Sequence, residues 1–222
     1  MINEYLKRNE CILLACPLFS GMDEKELCYA LDFFDAIPKK YKKGDFIQSV
    51  LSPFERFGLV ISGSIQVCCD DIDGYPMIMA NVSTGDTFGE SLCLLASESP
   101  VYIRATTDAE VLMMSTQKLH SSFDESSHHL VMRFAKMLAA RTLSMNDRIQ
   151  ILSKISLREK ILTLLTQYRQ KSASNDIFLP FDRADMAIYL GTDRTALSRE
   201  LSKLKKEGII DYNKNHFIIN KN

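Results

Sequence analysis

Apolar and polar positions divide the chain into four stretches of different period. Up to about Asp35 the pattern is helical, with Leu13, Leu14, Leu27, Ala30 and Leu31 on either side of a Pro17–Gly21 break. From Ala36 to about Thr116 the period shortens to that of strands. The runs 57–61 (Phe-Gly-Leu-Val-Ile), 65–68 (Ile-Gln-Val-Cys) and 77–80 (Met-Ile-Met-Ala) are cut by turn residues at Lys43-Gly44-Asp45, Ser62-Gly63-Ser64, Asp73-Gly74 and Thr84-Gly85-Asp86. Asp-Gly between two such runs predicts a hairpin, and many short strands at this spacing predict a jelly-roll-like sandwich or barrel.

From about Ser126 to Leu152 the pattern predicts one long helix. Val131, Ala135, Leu138, Thr142, Met145, Ile149 and Leu152 alternate at spacings of four and three. That is a narrow a/d seam of about three heptads, flanked by Lys136, Arg141, Asp147 and Arg148. Such a seam packs either on its own domain or on a second copy; the narrow stripe favours a two-fold dimer. The final stretch, Ser156 to Asn222, predicts a helical unit ending in a small hairpin. Ile161, Leu162, Leu164 and Leu165 belong to its first helix, Gln170 to Asp176 is a polar loop, and 209–212 and 216–219 form a wing around Asn213-Lys214-Asn215. The predicted class is therefore α+β, with a β-roll over 1–125, a dimerisation helix over 126–152 and a helical, winged domain over 153–222.

Charge sharpens this division. The chain is −1 overall, but from Ser153 onward 13 Lys and Arg face 8 Asp and Glu, leaving +5 there and −6 elsewhere. A basic C-terminal third points to a polyanion, nucleic acid first. No apolar run reaches the roughly 18–20 residues of a membrane span, and Met1–Glu10 has no signal-peptide character, so a cytoplasmic protein with no membrane partner is expected. Six cysteines (11, 16, 28, 68, 69 and 93) fit no zinc spacing and read as free thiols.

The segment 181–204, Phe-Asp-Arg-Ala-Asp-Met-Ala-Ile-Tyr-Leu-Gly-Thr-Asp-Arg-Thr-Ala-Leu-Ser-Arg-Glu-Leu-Ser-Lys-Leu, carries the most chemistry. Asp182 is a suitable N-cap for a short helix ending at Leu190. Gly191 suits a left-handed helix end, and Asp193 can cap a second helix from Arg194. Met186, Leu190, Leu197, Leu201 and Leu204 point inward, with small Ala187 where the helices cross. This is a helix-turn-helix, whose second helix enters the major groove. Arg194, Thr195, Ser198 and Arg199 share the face that reaches base edges, where arginine can grip guanine O6/N7 or phosphate. Arg183 is placed for a backbone phosphate, and Lys203 extends the contact face.

Together with Leu204 and the Glu-Gly-Ile-Ile of 207–210, residues 190–201 resemble the winged helix-turn-helix of the Crp–Fnr family of sensor–activators. Upstream segments resemble the same family in order. Residues 17–21 (Pro-Leu-Phe-Ser-Gly) are similar to its N-terminal helix opening, and 42–47 and 60–65 to its cyclic-nucleotide-type β-roll. Residues 85–90 (Gly-Asp-Thr-Phe-Gly-Glu) followed by Arg104-Ala105 are similar to its effector cassette. The resemblance implies a homodimer that binds an inverted repeat in double-stranded DNA, contacts RNA polymerase and answers a small-molecule effector. It places the effector pocket at this cassette, with Gly89, Glu90, Leu92, Ser99, Tyr102 and Met145 as candidate lining residues; the 4-3 seam places the dimer interface at Val131, Leu138, Thr142, Met145, Ile149 and Leu152.

The sequence also departs from the family. In cAMP-responsive members a Glu holds the ribose, matched here by Glu90, and an Arg followed by Ser or Thr holds the phosphate. Those last two positions are Ser99 and Pro100, and Gly85 to Ile103 contains no Lys or Arg. A buried phosphate without a cation carries a large desolvation cost, so cAMP is not the expected effector; an uncharged or aromatic ligand fits better. Cys11, Cys16 and Cys28 are spaced too loosely for an iron–sulfur cluster, and His120, His128 and His129 give no clear haem ligand, so the cofactor stays open. Thr195 stands where the family often carries a Glu, so the familiar operators are not assumed. The alternative output is a protein partner in place of DNA. The β-stretch 36–116 holds no His for a jelly-roll metalloenzyme, and no catalytic triad motif is present; no enzyme activity is expected.

Overall fold

The computed structural model describes residues 2–70, 72–73, 76–120, 125–180 and 182–220, with side chains from Tyr5 onward, that of Pro76 excepted. Gly74 of the predicted turn and Phe181 of the helix-turn-helix segment lie outside the described residues. The chain divides into two compact units, 1–139 and 140–222.

The first unit opens with α1 (Ile2–Ala15) and α2 (Glu24–Phe33). A reciprocal capping box starts α2: Glu26 N–H donates to Asp23 Oδ1 at 2.9 Å, and Asp23 N–H donates to Glu26 Oε2 at 2.9 Å. Eight strands follow: β1 (Ile37–Tyr41), β2 (Phe46–Gln48), β3 (Phe57–Ser62), β4 (Ser64–Asp70), β5 (Pro76–Ser83), β6 (Thr87–Phe88), β7 (Tyr102–Ala105) and β8 (Ala109–Met114). They form two antiparallel four-stranded sheets, ordered β1-β8-β3-β6 and β2-β7-β4-β5. One core joins their inner faces, with Leu59, Ile61 and Leu112 from the first sheet and Ile65, Val82 and Ile103 from the second. This is the expected jelly-roll-like sandwich.

Strand β3 is buried at every position from Phe57 to Ile61, because α1 and α3 (Glu90–Leu95) pack over it; its apolar run is continuous instead of alternating for that reason. The predicted hairpin is present as the β4–β5 pair, running from Ser64 opposite Ser83 to Asp70 opposite Pro76.

The long helix is α4 (Glu125–Leu152). In the first unit its Leu130, Phe134 and Met137 are buried. Phe134 lies 5.4 Å from Phe57 and 6.1 Å from Phe34, ring to ring. The neighbouring stripe stays outside this core. Val131 and Leu138 are half-buried, and Thr142, Met145, Ile149 and Leu152 are exposed.

In the second unit α5 (Leu157–Ser172) begins in another capping box, Ser156 with Glu159. Strand β9 (Asp176–Phe178), α6 (Arg183–Leu190), α7 (Arg194–Lys206), β10 (Ile210–Asn213) and β11 (His216–Ile219) complete it. The wing sheet is ordered β10-β11-β9. The third strand was not expected from sequence, where Gln170–Asp176 reads as a polar loop. Only Ile177 of β9 is buried, between exposed Asp176 and Phe178, so three residues carry too little alternation to be seen. The strand forms because the free edge of β11 pairs with it, His216 opposite Phe178. Ile161, Leu164, Leu165, Met186, Leu190, Leu197, Leu201, Leu204 and Phe217 make the core.

Candidate functional site

The turn between α6 and α7 is fixed by three short-range devices. Asp182 accepts hydrogen bonds from Ala184 N–H at 2.7 Å and Asp185 N–H at 2.8 Å. Asp193 accepts from Thr195 N–H at 2.9 Å and Ala196 N–H at 2.8 Å. Between them Gly191 adopts φ 65°, which a Cβ would strain, and its N–H closes α6 on Ile188 O at 3.1 Å. The two caps and the left-handed residue are those the sequence predicts.

With Leu197, Leu201 and Leu204 buried, the opposite side of α7 faces outward. Arg194, Thr195, Ser198, Arg199 and Lys203 are all exposed there. Among the described residues, the Arg194, Thr195 and Arg199 side chains have no hydrogen-bond partner. Ser198 Oγ donates back to Arg194 O at 2.8 Å, leaving its lone pairs outward, and Lys203 Nζ reaches Glu200 at 3.3 Å. The C-terminal end of α7 is braced by Arg158, whose Nη1 donates to Glu207 Oε1 at 3.0 Å while Nη2 pairs with Glu207 Oε2.

Arg183 has a second attachment that the sequence does not announce. Its Nη2 donates to Lys214 O in the wing turn at 2.9 Å, and its guanidinium carbon sits 5.1 Å from the Tyr212 ring centre and 5.6 Å from that of Phe217. Burial lowers its pKa, Tyr212 opposes that shift and nearby Arg194 adds to it. Lys214 takes φ 54° at the tip of the wing. Arg183, Arg194, Ser198, Lys214, Asn215 and Asp182 surround one cleft of about 670 Å³. Among the described lining residues three cations against one carboxylate, itself occupied as a cap, make this cleft electropositive. Lys214 was not singled out from the sequence; a lysine at the centre of a wing turn was the signal.

In the first unit, Gly89 (φ 77°) caps α3, and a Cβ there would come within 3.1 Å of the Phe54 ring. Glu90 is 3% exposed and accepts a hydrogen bond from the Thr87 hydroxyl. Leu92 packs against the core, and Ser99 is buried, its Oγ accepting from Val101 N–H at 3.3 Å. Tyr102 donates to Asp70 at 3.2 Å and lies 5.7 Å from Phe46, ring to ring. Met145 belongs to the second unit and is 60% exposed. The cation nearest in sequence after the cassette, Arg104, is engaged: Nη2 donates to Gln66 at 3.1 Å, which donates to Asn81 at 3.1 Å across β7, β4 and β5.

None of the six cysteines is in a disulfide; Cys16, Cys68 and Cys93 are buried. Burial comes first among the causes that raise the Cys16 thiol pKa. Among the described residues no three His, Cys, Asp or Glu side chains are grouped to hold a metal, and no helix is long and apolar enough to cross a membrane.

Comparison with known proteins divides the chain in the same way. Residues 38–126 match the cyclic nucleotide-binding domain, and residues 156–221 match the Crp-like helix-turn-helix domain. The chain is 25% identical over 197 residues to the cyclic AMP receptor protein of Thermus thermophilus, covering 87% of this chain and 88% of that one. It is 26% identical over 210 residues to the nitrogen fixation regulation protein FixK of Bradyrhizobium diazoefficiens, covering 91% and 85%. The crystal structure of the Thermus thermophilus catabolite activator protein shares the fold, with a TM-score of 0.53 at 22% identity over 92% of this chain and 93% of that one.

Proposed function

Because the chain belongs to the Crp–Fnr family of transcription regulators, we propose that it grips an inverted-repeat operator as a homodimer, under control of a signal read by the β-roll. The observation that carries this reading is the outward face of α7. Arg194, Thr195, Ser198, Arg199 and Lys203 stand on it, and the wing's Lys214 and Arg183 close an electropositive cleft beside it. Arg194 and Arg199 read bases; Arg183, Lys203 and Lys214 hold phosphates, Arg183 while also tying the wing to α6. Residues 126–152 pair two protomers through Val131, Leu138, Thr142, Met145, Ile149 and Leu152. Four of these are exposed in the single chain, as a seam awaiting a partner requires. RNA polymerase is the further partner of the promoter-bound dimer.

The effector site is proposed over Gly89, Glu90, Leu92, Ser99 and Tyr102 of the first unit. Its ligand is uncharged or aromatic: Glu90 is buried on Thr87, and Arg104 is engaged by Gln66. No Lys or Arg of the 85–103 segment then meets a cyclic phosphate. An output through a protein partner alone is disfavoured by the match over 156–221. The test is fluorescence anisotropy of full-length protein on a labelled random-sequence duplex. The logarithm of the affinity should fall linearly with that of salt concentration, by about 0.9 per phosphate contact. Absent or salt-independent binding would overturn the reading.

A further inference from the structure

The first unit carries a second cationic cluster, far in sequence from the effector cassette. A cleft of about 560 Å³ lies between α2 and the head of α4. Met22, Lys25, Glu26 and Tyr29 line one side; Ser126, His129, Leu130 and Arg133 line the other. Lys25, Glu26 and Tyr29 share one face of α2, Ser126, His129, Leu130 and Arg133 share one face of α4, and Met22 joins from the segment before α2. Met22 and Leu130 are buried and give it an apolar floor. The polar groups stand around that floor. Arg133 Nη1 donates to Ser20 O at 2.8 Å, which anchors the guanidinium at the rim. The Lys25 ammonium and the His129 imidazole have no hydrogen-bond partner among the described residues. The Glu26 carboxylate is turned to the cap of α2, accepting from Asp23 N–H at 2.9 Å.

We propose that this cleft binds a small organic anion, a carboxylate or phosphate carried on a short apolar body. Lys25 and Arg133 hold the charge, His129 and Ser126 donate to its remaining oxygens, and the body rests on Met22 and Leu130. The volume suits a ligand of drug-like size, within the roughly 300–1,000 Å³ of such sites, and not a folded partner. Among the described lining residues two cations outnumber the one carboxylate, and charge-assisted hydrogen bonds to an anion are the stronger kind. A ligand seated there touches both α2 and α4, so it fixes the start of the seam helix against the roll. The proposal does not depend on DNA binding and is tested without it.

The experiment is titration calorimetry of the full chain with phenyl phosphate, inorganic phosphate and benzyl alcohol, in wild type and the variants Lys25→Gln, Arg133→Gln and Lys39→Gln. Lys39 is exposed on β1 and serves as a distant control. Phenyl phosphate should bind at least tenfold more tightly than either fragment. Lys25→Gln and Arg133→Gln should each weaken it about tenfold, since a hydrogen bond to a charged group is lost; Lys39→Gln should leave it unchanged. Arg133 also holds Ser20, so Lys25→Gln, an exposed position, decides the matter if Arg133→Gln does not fold. Equal weakening by Lys39→Gln, equal affinity for inorganic phosphate, or no detectable binding overturns the proposal. So does an oligo-aspartate peptide that outcompetes phenyl phosphate and loses affinity with Lys25→Gln, because that assigns the cleft to an acidic protein segment.

Discussion

Replacing Arg183 by Met separates two roles that converge on one side chain. Methionine keeps a flexible apolar stem of similar reach and removes the guanidinium fork. The hydrogen bond from Nη2 to Lys214 O, 2.9 Å long, joins a charged donor to a carbonyl and is of the kind that contributes about 1.5–3 kcal/mol. Each of the two rings beneath the guanidinium, at 5.1 and 5.6 Å, adds about 0.5–1 kcal/mol. Arg183 is half-buried, so solvent screening keeps the total near the lower ends, about 2–3 kcal/mol. In a unit spanning 140–222, a loss of that size lowers the unfolding temperature by about 10 °C or more. Calorimetric unfolding of the full chain reads this directly. Hydrogen exchange at Lys214, Asn215 and His216 should rise in the same variant, because the wing turn loses its tie to α6. A parallel salt titration on DNA should lose about one unit of slope per phosphate contact removed. An unchanged unfolding temperature with weakened DNA binding would refute the tether and leave Arg183 as a phosphate contact alone.

Three further outcomes are expected. Ile149→Glu should convert a dimer to a monomer in sedimentation at micromolar concentration. Ile149 is 61% exposed and the change leaves the single chain intact, whereas Leu138 packs in part on the first core; an unchanged dimer would remove the seam assignment. Calorimetry with cAMP should show no binding below the millimolar range, and a micromolar dissociation constant would mean that backbone donors replace the missing arginine. Acid should weaken the second unit. Ser156 N–H donating to Glu159, Arg158 hydrogen-bonded to Glu207 and Lys205 hydrogen-bonded to Asp211 each hold a carboxyl below its usual pKa. Their contribution is complete above the ordinary carboxylate range near pH 4 and is lost as pH falls through the lowered values. The urea midpoint should therefore drop between about pH 5 and pH 3, and Glu159→Gln should make that drop shallower; an identical pH profile in this variant would count against the capping-box contribution.

The elements that carry the candidate interface were legible because they rest on local chemistry. Asp182, Gly191 and Asp193 act within three residues of themselves, and the Leu197, Leu201 and Leu204 period sets which side of α7 faces out. The exposed stripe of α4 was legible for the same reason: Thr142, Met145 and Ile149 of the 4-3 spacing are exposed, whereas Leu130, Phe134 and Met137 are buried. What escaped depends on pairing across the chain. Strand β9 exists through the edge of β11, and the Arg183 tether needs Tyr212, Lys214 and Phe217 to arrive from about thirty residues away. Helix α3 escaped because six residues after a left-handed glycine show no helical period of their own. The proposed effector site is the least legible part, because a family's cassette names positions, while burial of Glu90 and engagement of Arg104 follow from how the two sheets close.

The central claim is that α7 reads a two-fold operator through its exposed arginines, and binding selection from a random duplex library tests it most directly. Wild-type protein should enrich an inverted repeat with half-sites about one helical turn, roughly 10–10.5 bp, apart. Arg199→Ala should lose about 1–3 kcal/mol on that site and relax the preference at one base pair in each half-site. Failure to enrich any repeat, or an Arg199→Ala variant that keeps the full sequence preference and loses only salt-dependent affinity, would contradict it.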